Sequence, residues 1–298
     1  MLLALLFGIA LHFVSEEERP LAGIDFASRT VLRIGVALLG LRISMDLALS
    51  LGPMVLAAVI FSVVLTIVFG LLVARHFGYH LKFAFLSAGS VAICGASAAM
   101  AISAILPKDE KSDERLIFTV VGVTVLSTFA MIVYPSIAAS LGLSKVATGV
   151  FLGATILDVA QVVGAGFSVS QETGEISTVI KLVRVAMLAP VIIIASAIIR
   201  AKSQSSLEGG SRPQLIPFFV VGFFGLMLFN SLGWVPEVAS EVAGEISRWA
   251  LLSAIAAVGM KTSIKDVLGV GGAAIGLLVT ETAFILVLIL GLVLWLPT

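Results

Sequence analysis

Charge is scarce in this sequence: 12% of its 298 residues are Asp, Glu, Lys or Arg, about half the share of an ordinary soluble domain. So few charges cannot coat a water-facing surface of this size, which excludes a soluble globular protein. The 18 basic and 18 acidic residues cancel, so the basic footprint of a nucleic-acid binder is missing. A single cysteine, Cys94, cannot form an internal disulfide. The three histidines (His12, His76 and His80) share no metal-ligand spacing, and no H-E-x-x-H, G-x-S-x-G or phosphate-cradling loop occurs. The sequence thus points to no catalytic residue, metal or cofactor, and the expectation is a protein that is not an enzyme. Disorder is excluded as well, by a 59% hydrophobic content and a mean hydropathy of +1.17.

Long apolar runs are what the chain does contain. A helix needs about 20 mostly apolar residues to cross a bilayer. Candidates lie at roughly 2–14, 27–45, 53–75, 81–106, 114–135, 146–167, 177–200, 214–233, 247–268 and 272–296. The first is short for a span and reads as a tilted or cut-short helix, since no basic stretch or cleavage site marks it as a signal segment. The expected fold is an all-α polytopic membrane protein with about nine or ten transmembrane segments in one domain over 1–298. Basic residues gather at Arg75/Lys82, at Lys145 and at Arg200/Lys202/Arg212. By the positive-inside rule this places the 76–82, 141–145 and 200–212 connections in the cytoplasm.

An internal repeat emerges when Ser28–Gly52 is laid over Ser247–Gly271. Identities fall at Ser28/Ser247, Arg29/Arg248, Leu32/Leu251, Gly40/Gly259, Ser44/Ser263, Leu49/Leu268 and Gly52/Gly271, and Arg42 meets Lys261. Chance similarity between two Leu/Ala/Gly-rich helices is the plain alternative. Matched cations weigh against it, because a charge at a helix centre costs about 2.5–3.5 kcal/mol on insertion scales. The copies lie an odd number of crossings apart, so they run in opposite directions. Such inverted repeats mark secondary transporters with a site near the bilayer midplane.

Two stretches predict interrupted helices. In 81–106 the centre is crowded with Gly, Ser and Ala around Cys94. Small residues permit close helix packing, but hydroxyls and glycines at half-span depth also suit exposed backbone beside a cavity. The second stretch, 146–167, carries Asp158 and Gln161 between glycines. Asp158 either caps a half-helix or both caps and handles substrate or protons, since an intramembrane ionisable group points to a functional site. A severed helix offers backbone N–H groups and about half a positive charge to an anion. Lys181 and Arg184 share one helix face, and Arg184 lies too deep to snorkel; an anion or Asp158 would be its partner. Arg33 and Glu281 are further charges within spans, and Glu281 could neutralise a basic residue.

The stretches VLRIGVALLGLRIS (31–44), AGSVAICGASAAMA (88–101), LDVAQVVGAGF (157–167) and KLVRVAMLAPV (181–191) resemble, in order and spacing, the YeiH-type sulfate exporter family of bacterial inner-membrane proteins. The likeness covers nearly the whole chain. It implies a multi-pass protein of the bacterial inner membrane, related to inverted-repeat anion carriers with broken helices, that exports sulfate or a related anion. One departure is Leu157, where the family often places His before the Asp; proton handling there would not carry over.

The reading that follows is a secondary transporter whose partners are a small anion, a coupling proton or cation, and the lipid bilayer. Its substrate-binding set is Ser90, Cys94, Gly95, Ala96, Ser97, Asp158, Gln161, Lys181 and Arg184, with Arg42 and Lys261 as repeat-related charges. Whether it acts alone or as a homodimer stays open. The alternatives are an intramembrane enzyme using Cys94 as nucleophile, which lacks a histidine at midplane depth to activate it, and a structural membrane subunit.

Overall fold

The computed structural model describes residues 2–13, 18–43, 47, 49, 51–202, 217–261 and 272–295. The repeat pairs Ser44/Ser263, Leu49/Leu268 and Gly52/Gly271, and most of the 200–212 connection, fall wholly or partly outside them. The described residues form helices joined by short turns and connections and contain no strand. In chain order the helices are α1 (Leu2–Ala10), α2 (Glu18–Phe26), then a π-helical turn Ala27–Val31, and α3 (Leu32–Leu39). Then come α4 (Gly52–Val73), α5 (Leu81–Ala92), α6 (Ala96–Ile105), α7 (Ser112–Ser140), α8 (Lys145–Thr155) and α9 (Val159–Val169). The last are α10 (Gln171–Ala186), α11 (Leu188–Lys202), α12 (Phe218–Ser231), α13 (Glu237–Lys261) and α14 (Gly272–Trp295).

Among the described residues five helices are long and apolar enough to cross a membrane: α4, α7, the joined α10–α11 over Gln171–Ile199, α13 and α14. Their outward faces are the apolar ones, with Leu72, Phe129, Val287 and Trp295 all exposed, which is the surface that lipid tails cover. The chain is an all-α polytopic membrane protein.

The interrupted stretches do break, at 93–95 and at 156–158, but neither runs straight across. Helix α5 has 12 residues and α6 has 10, so at 1.5 Å per residue each spans about 15–18 Å, roughly half a hydrocarbon core of about 30 Å. Gly89 of α5 packs directly on Ile102 of α6. Lys82, at the start of α5, pairs with Asp109, just past α6, at 3.0 Å. Both contacts require the chain to turn back on itself. Segment 81–106 is therefore a re-entrant hairpin. The second stretch folds the same way. A Cβ on Gly149 or Gly153 of α8 would meet Ile176 or Ser177 of α10, in parallel order, whereas Gly166 of α9 packs on Ser177 and Gly174 in antiparallel order. The Thr173 hydroxyl donates to the Lys145 carbonyl at 3.1 Å, which brings both feet of the hairpin to one level.

Helix α7, with 29 residues and so about 43 Å long, shows where each hairpin stands. Phe83 near the first hairpin's base packs against Phe118 with tilted rings whose centroids lie 5.9 Å apart. Gly95 at its tip faces Val123. Ser127 then accepts from the Asp158 N–H at the second tip, at 2.9 Å. Tyr134 packs against Phe151 of α8 at 5.6 Å, toward the second base. The hairpins enter from opposite ends of α7 and meet tip to tip at its middle.

This corrects two expectations. The stretch 81–106 is not a span, and the 76–82 and 141–145 connections lie at opposite ends of α7 rather than both in the cytoplasm; for 146–167, which the sequence leaves open between crossing and re-entry, the fold is the re-entrant one. The positive-inside count went astray because each assumed crossing inverted every later loop.

Helices α3 and α13 pack antiparallel. Ser247 donates to the Gly35 carbonyl at 2.6 Å, Ser240 to the Leu41 carbonyl at 2.8 Å, and Lys261 pairs with Asp25 at the far end. Gly40 lets α12 approach, since a Cβ there would run into the Phe223 backbone.

Candidate functional site

Four half-helix ends converge where the hairpin tips meet. Helices α5 and α8 bring their C-termini, which leave carbonyl oxygens without partners. Helices α6 and α9 bring their N-termini. In oil an unsatisfied backbone group costs several kcal/mol, so each end needs a partner.

Lys181 and Arg184 of α10 supply the carbonyl ends. Both side chains are wholly buried. The Lys181 ammonium donates to the carbonyls of Ile93 (2.8 Å), Ile156 (3.1 Å) and Leu157 (2.6 Å). The Arg184 guanidinium donates through Nε to Ala92 (3.0 Å), through one terminal nitrogen to Gly153 and Ile156 (both 3.2 Å), and through the other to Val91 (3.0 Å) and Ala92 (2.7 Å). These contacts take up the three ammonium donors and the five guanidinium donors. Each residue binds both tips. The pair is a clamp on the hairpin junction, and no donor is left over for a solute.

The N-terminal ends are treated differently. Asp158 caps α9, its carboxylate accepting from the Ala160 N–H at 2.9 Å. Gln161 is fixed one turn further on, donating to Thr128 at 3.3 Å and accepting from Ser127 at 3.4 Å. Helix α6 has Gly95 at its N-cap position with φ of 61° and no side-chain cap. That left-handed value is one that a residue with a Cβ rarely adopts.

The open end of α6 faces a cavity of about 380 Å³. Cys94, Ala96 and Ser97 line it from the first hairpin, and Asp158 and Gln161 from the second. Thr124 lines it from α7, and Ser28, Arg29, Arg33 and Lys261 from the paired α3 and α13 region, the remaining wall being apolar. Arg33 has no ion-pair or hydrogen-bond partner among the described residues. Lys261 is engaged by Asp25 at the cavity rim, and Arg29 stands near the same carboxylate. Lys261 holds the Asp25 carboxyl below its usual value.

Of the residues expected at the site, Cys94, Ala96, Ser97, Asp158, Gln161 and Lys261 share this cavity, with Gly95 forming the turn behind it. Ser90 is buried in α5, its hydroxyl donating to the Leu86 carbonyl at 2.5 Å, and does not line the cavity. Lys181 and Arg184 lie behind the tips. Arg42 lies elsewhere, lining a second cavity of about 410 Å³ with Arg248, 3.7 Å from Glu175. Glu281 meets Ser87 rather than a cation. The residues that sequence reading left out of the site are Arg29 and Arg33. Their spacing of four puts both on one helix face, and that signal was available. Among the described residues no cluster of His, Cys, Asp and Glu could hold a metal ion.

Residues 1–294 match the family model described as "Conserved hypothetical protein 698". The chain is 58% identical over 290 residues to a UPF0324 membrane protein of Rhizobium meliloti, covering 97% of this chain and 84% of that one. It is 56% identical over 290 residues to the UPF0324 membrane protein TauZ of Paracoccus pantotrophus, covering 97% and 86%. A UPF0324 membrane protein of Chlorobaculum tepidum is 52% identical over 298 residues, covering 99% and 82%. No solved structure matches. With nearly its whole length matched to the family model, and identities above one half to these relatives, the chain belongs to the UPF0324 membrane protein family, the one its YeiH-type motifs resemble.

Proposed function

We propose that this protein is a secondary transporter that moves a small anion, such as sulfate, another sulfur oxyanion or a small sulfonate, outward across the bacterial inner membrane. The observation that carries the reading is the N-terminus of α6, which has no side-chain cap at Gly95 and opens between two hairpin tips on a cavity that Arg33, unpaired among the described residues, also lines. Charge bookkeeping agrees. With about half a charge per helix end, the two carbonyl ends offset about one of the two clamp cations, and the two N-terminal ends offset Asp158. The junction keeps about one positive charge before Arg29 and Arg33 are counted. In a low-dielectric setting that excess calls for an anion.

Roles follow from position. The first turn of α6 and the Ser97 hydroxyl donate to the oxyanion, Arg33 and Arg29 supply charge and steer entry, and Gln161 offers an amide from the facing tip. Asp158 keeps α9 capped and sets the polarity of the second wall. Two hairpins entering from opposite sides give each face of the membrane a way to the same point by parting one tip. The antiparallel packing of α3 on α13 has the sense that an inverted repeat requires.

The test is flux in proteoliposomes, using radiolabelled sulfate, sulfite, thiosulfate and small sulfonates. Wild type should move at least one of them, and Arg33→Gln should slow that flux at least tenfold with an unchanged melting temperature. A wild type that moves none would end the transport reading. Undiminished flux in the variant would take Arg33 out of the site.

A further inference from the structure

Helix α14 carries one ionisable residue, Glu281, and it is fully buried. Its Oε1 accepts from the Ser87 hydroxyl at 2.9 Å. Its Oε2 is buried and has no hydrogen-bond partner among the described residues. Helix α4 makes room for the carboxyl with Gly70, where a Cβ would lie 2.5 Å from Oε1. The Ser87 hydroxyl also lies 3.2 Å from the Ala84 carbonyl, so even its single hydrogen is contested.

Among the described residues no cation pairs with this group; Arg75, His76 and His80 lie in the connection after α4, whose Phe77 meets α14 at Gly276, five residues before Glu281. Helix α4 has no ionisable residue at all. The charged residue of α5 is Lys82, tied to Asp109 at the hairpin base, and that of α8 is Lys145, beside Glu172 at the opposite base. On α7 the charged groups are Asp113, Glu114 and Arg115 in the first turn, the last also bound to Asp109. Tyr134, the remaining ionisable group on α7, packs on Phe151. A carboxylate with one shared donor and no cation is not tolerated in oil, and such a group takes up a proton instead.

We propose that Glu281 is a proton-carrying site that links proton exchange to movement of the first hairpin against α14. Ser87 sits on the hairpin arm, six residues before the Ile93 tip carbonyl that Lys181 holds. When the arm parts from α14, the hydroxyl leaves and water enters. The Glu281 O–H bond then breaks, the proton passes to that water, and a solvated carboxylate remains. Reclosure requires a proton from water to restore the acid. The coupling half of this proposal rests on the transport reading above; the proton-holding half does not.

Infrared spectroscopy of the protein in lipid nanodiscs at pH 7 tests the second half. Wild type should show a protonated-carboxyl C=O band that is absent from Glu281→Gln. Ser87→Ala should keep the band and move it to higher frequency as the hydrogen bond is lost, which serves even where Glu281→Gln folds poorly. A wild type without the band, or a band untouched by both substitutions, overturns the proposal. Proteoliposome flux under an imposed pH gradient tests the first half. The gradient should change wild-type flux severalfold and leave Glu281→Gln, still able to exchange anion, unresponsive. A variant that responds as wild type does overturns the coupling. A wild type that moves no anion refutes the transport reading and the coupling together, while the infrared band alone decides the proton site.

Discussion

The Lys181 ammonium meets the Leu157 carbonyl at 2.6 Å, and this contact fixes what the buried cations of α10 do. Leu157 sits at the tip of the second hairpin, and the same ammonium reaches Ile93 at the tip of the first. With Arg184 beside it, α10 acts as a strut that holds both tips at the centre of the molecule. The cations stabilise a junction that would otherwise bury at least six bare carbonyls, those of Val91, Ala92, Ile93, Gly153, Ile156 and Leu157.

Arg184→Leu should therefore unfold the junction as well as stop flux. Leaving a buried acceptor without its partner costs about 1–3 kcal/mol, and Arg184 serves the carbonyls of Val91, Ala92, Gly153 and Ile156, so thermal unfolding in detergent should show a drop of many degrees. Arg184→Lys should recover little of it, because an ammonium cannot reproduce five donors in a fixed fork. A melting temperature unchanged in Arg184→Leu would mean that the tips are held by something else.

How much of this the sequence disclosed depends on the kind of information required. Membrane class follows from bulk composition, and the two breaks follow from glycines and hydroxyls around Cys94 and from Asp158 among glycines. Asp158 as a cap was legible, because capping is a local contact over two residues. The return of each hairpin was not, since Lys82–Asp109 and Lys145–Thr173 are contacts across 27 and 28 residues and a hydropathy window has no sense of direction. The carbonyl partners of Lys181 and Arg184 were illegible for a related reason: backbone carbonyls are invisible in a residue string.

Asp158 combines a cap with a charge, and two substitutions separate them. Asn caps helices about as well as Asp, whereas Ala costs about 1 kcal/mol. Asp158→Asn should melt close to wild type yet change flux, and Asp158→Ala should lower the melting temperature as well. Equal flux in wild type and Asp158→Asn would reduce the residue to its cap.

Gly153→Ala tests how tightly the second hairpin seats on α10. The added Cβ would lie 2.5 Å from the Ser177 carbonyl oxygen and 2.9 Å from the Ile180 Cβ, neither of which can swing aside. Overpacking of this kind costs about 1–3 kcal/mol, to be read as a fall in melting temperature. Gly142→Ala meets no atom but sits at φ of 63°, so it should cost less.

The Asp25–Lys261 pair at the cavity rim gives a pH-dependent effect of defined sign. Lys261 lowers the Asp25 pKa, so the pair is intact above the ordinary carboxylate range and opens as pH falls through the lowered value. Opening it releases a cation into the cavity. Asp25→Asn should mimic acid at neutral pH and lower the KM for anion by about two- to fivefold, the range set by an exposed ion pair. A KM that rises would show that Asp25 itself helps to hold the solute.

The re-entrant topology is open to a direct test by labelling single cysteines in a Cys94→Ala background with a membrane-impermeant maleimide. His80 and Lys108 are exposed at the two feet of the first hairpin, and a straight span would put them on opposite sides of the bilayer. The hairpin puts them on the same side. His80→Cys and Lys108→Cys should therefore label together from one face, and Ser140→Cys and Gln171→Cys together from the other. The second pair carries independent weight, because the bond from Thr173 to the Lys145 carbonyl forces its feet together whatever the first hairpin does. Should His80 and Lys108 label from opposite faces, the first stretch crosses the bilayer. Cys94 and Asp158 could not then approach from opposite sides, and a tip-to-tip gate would have no structural basis.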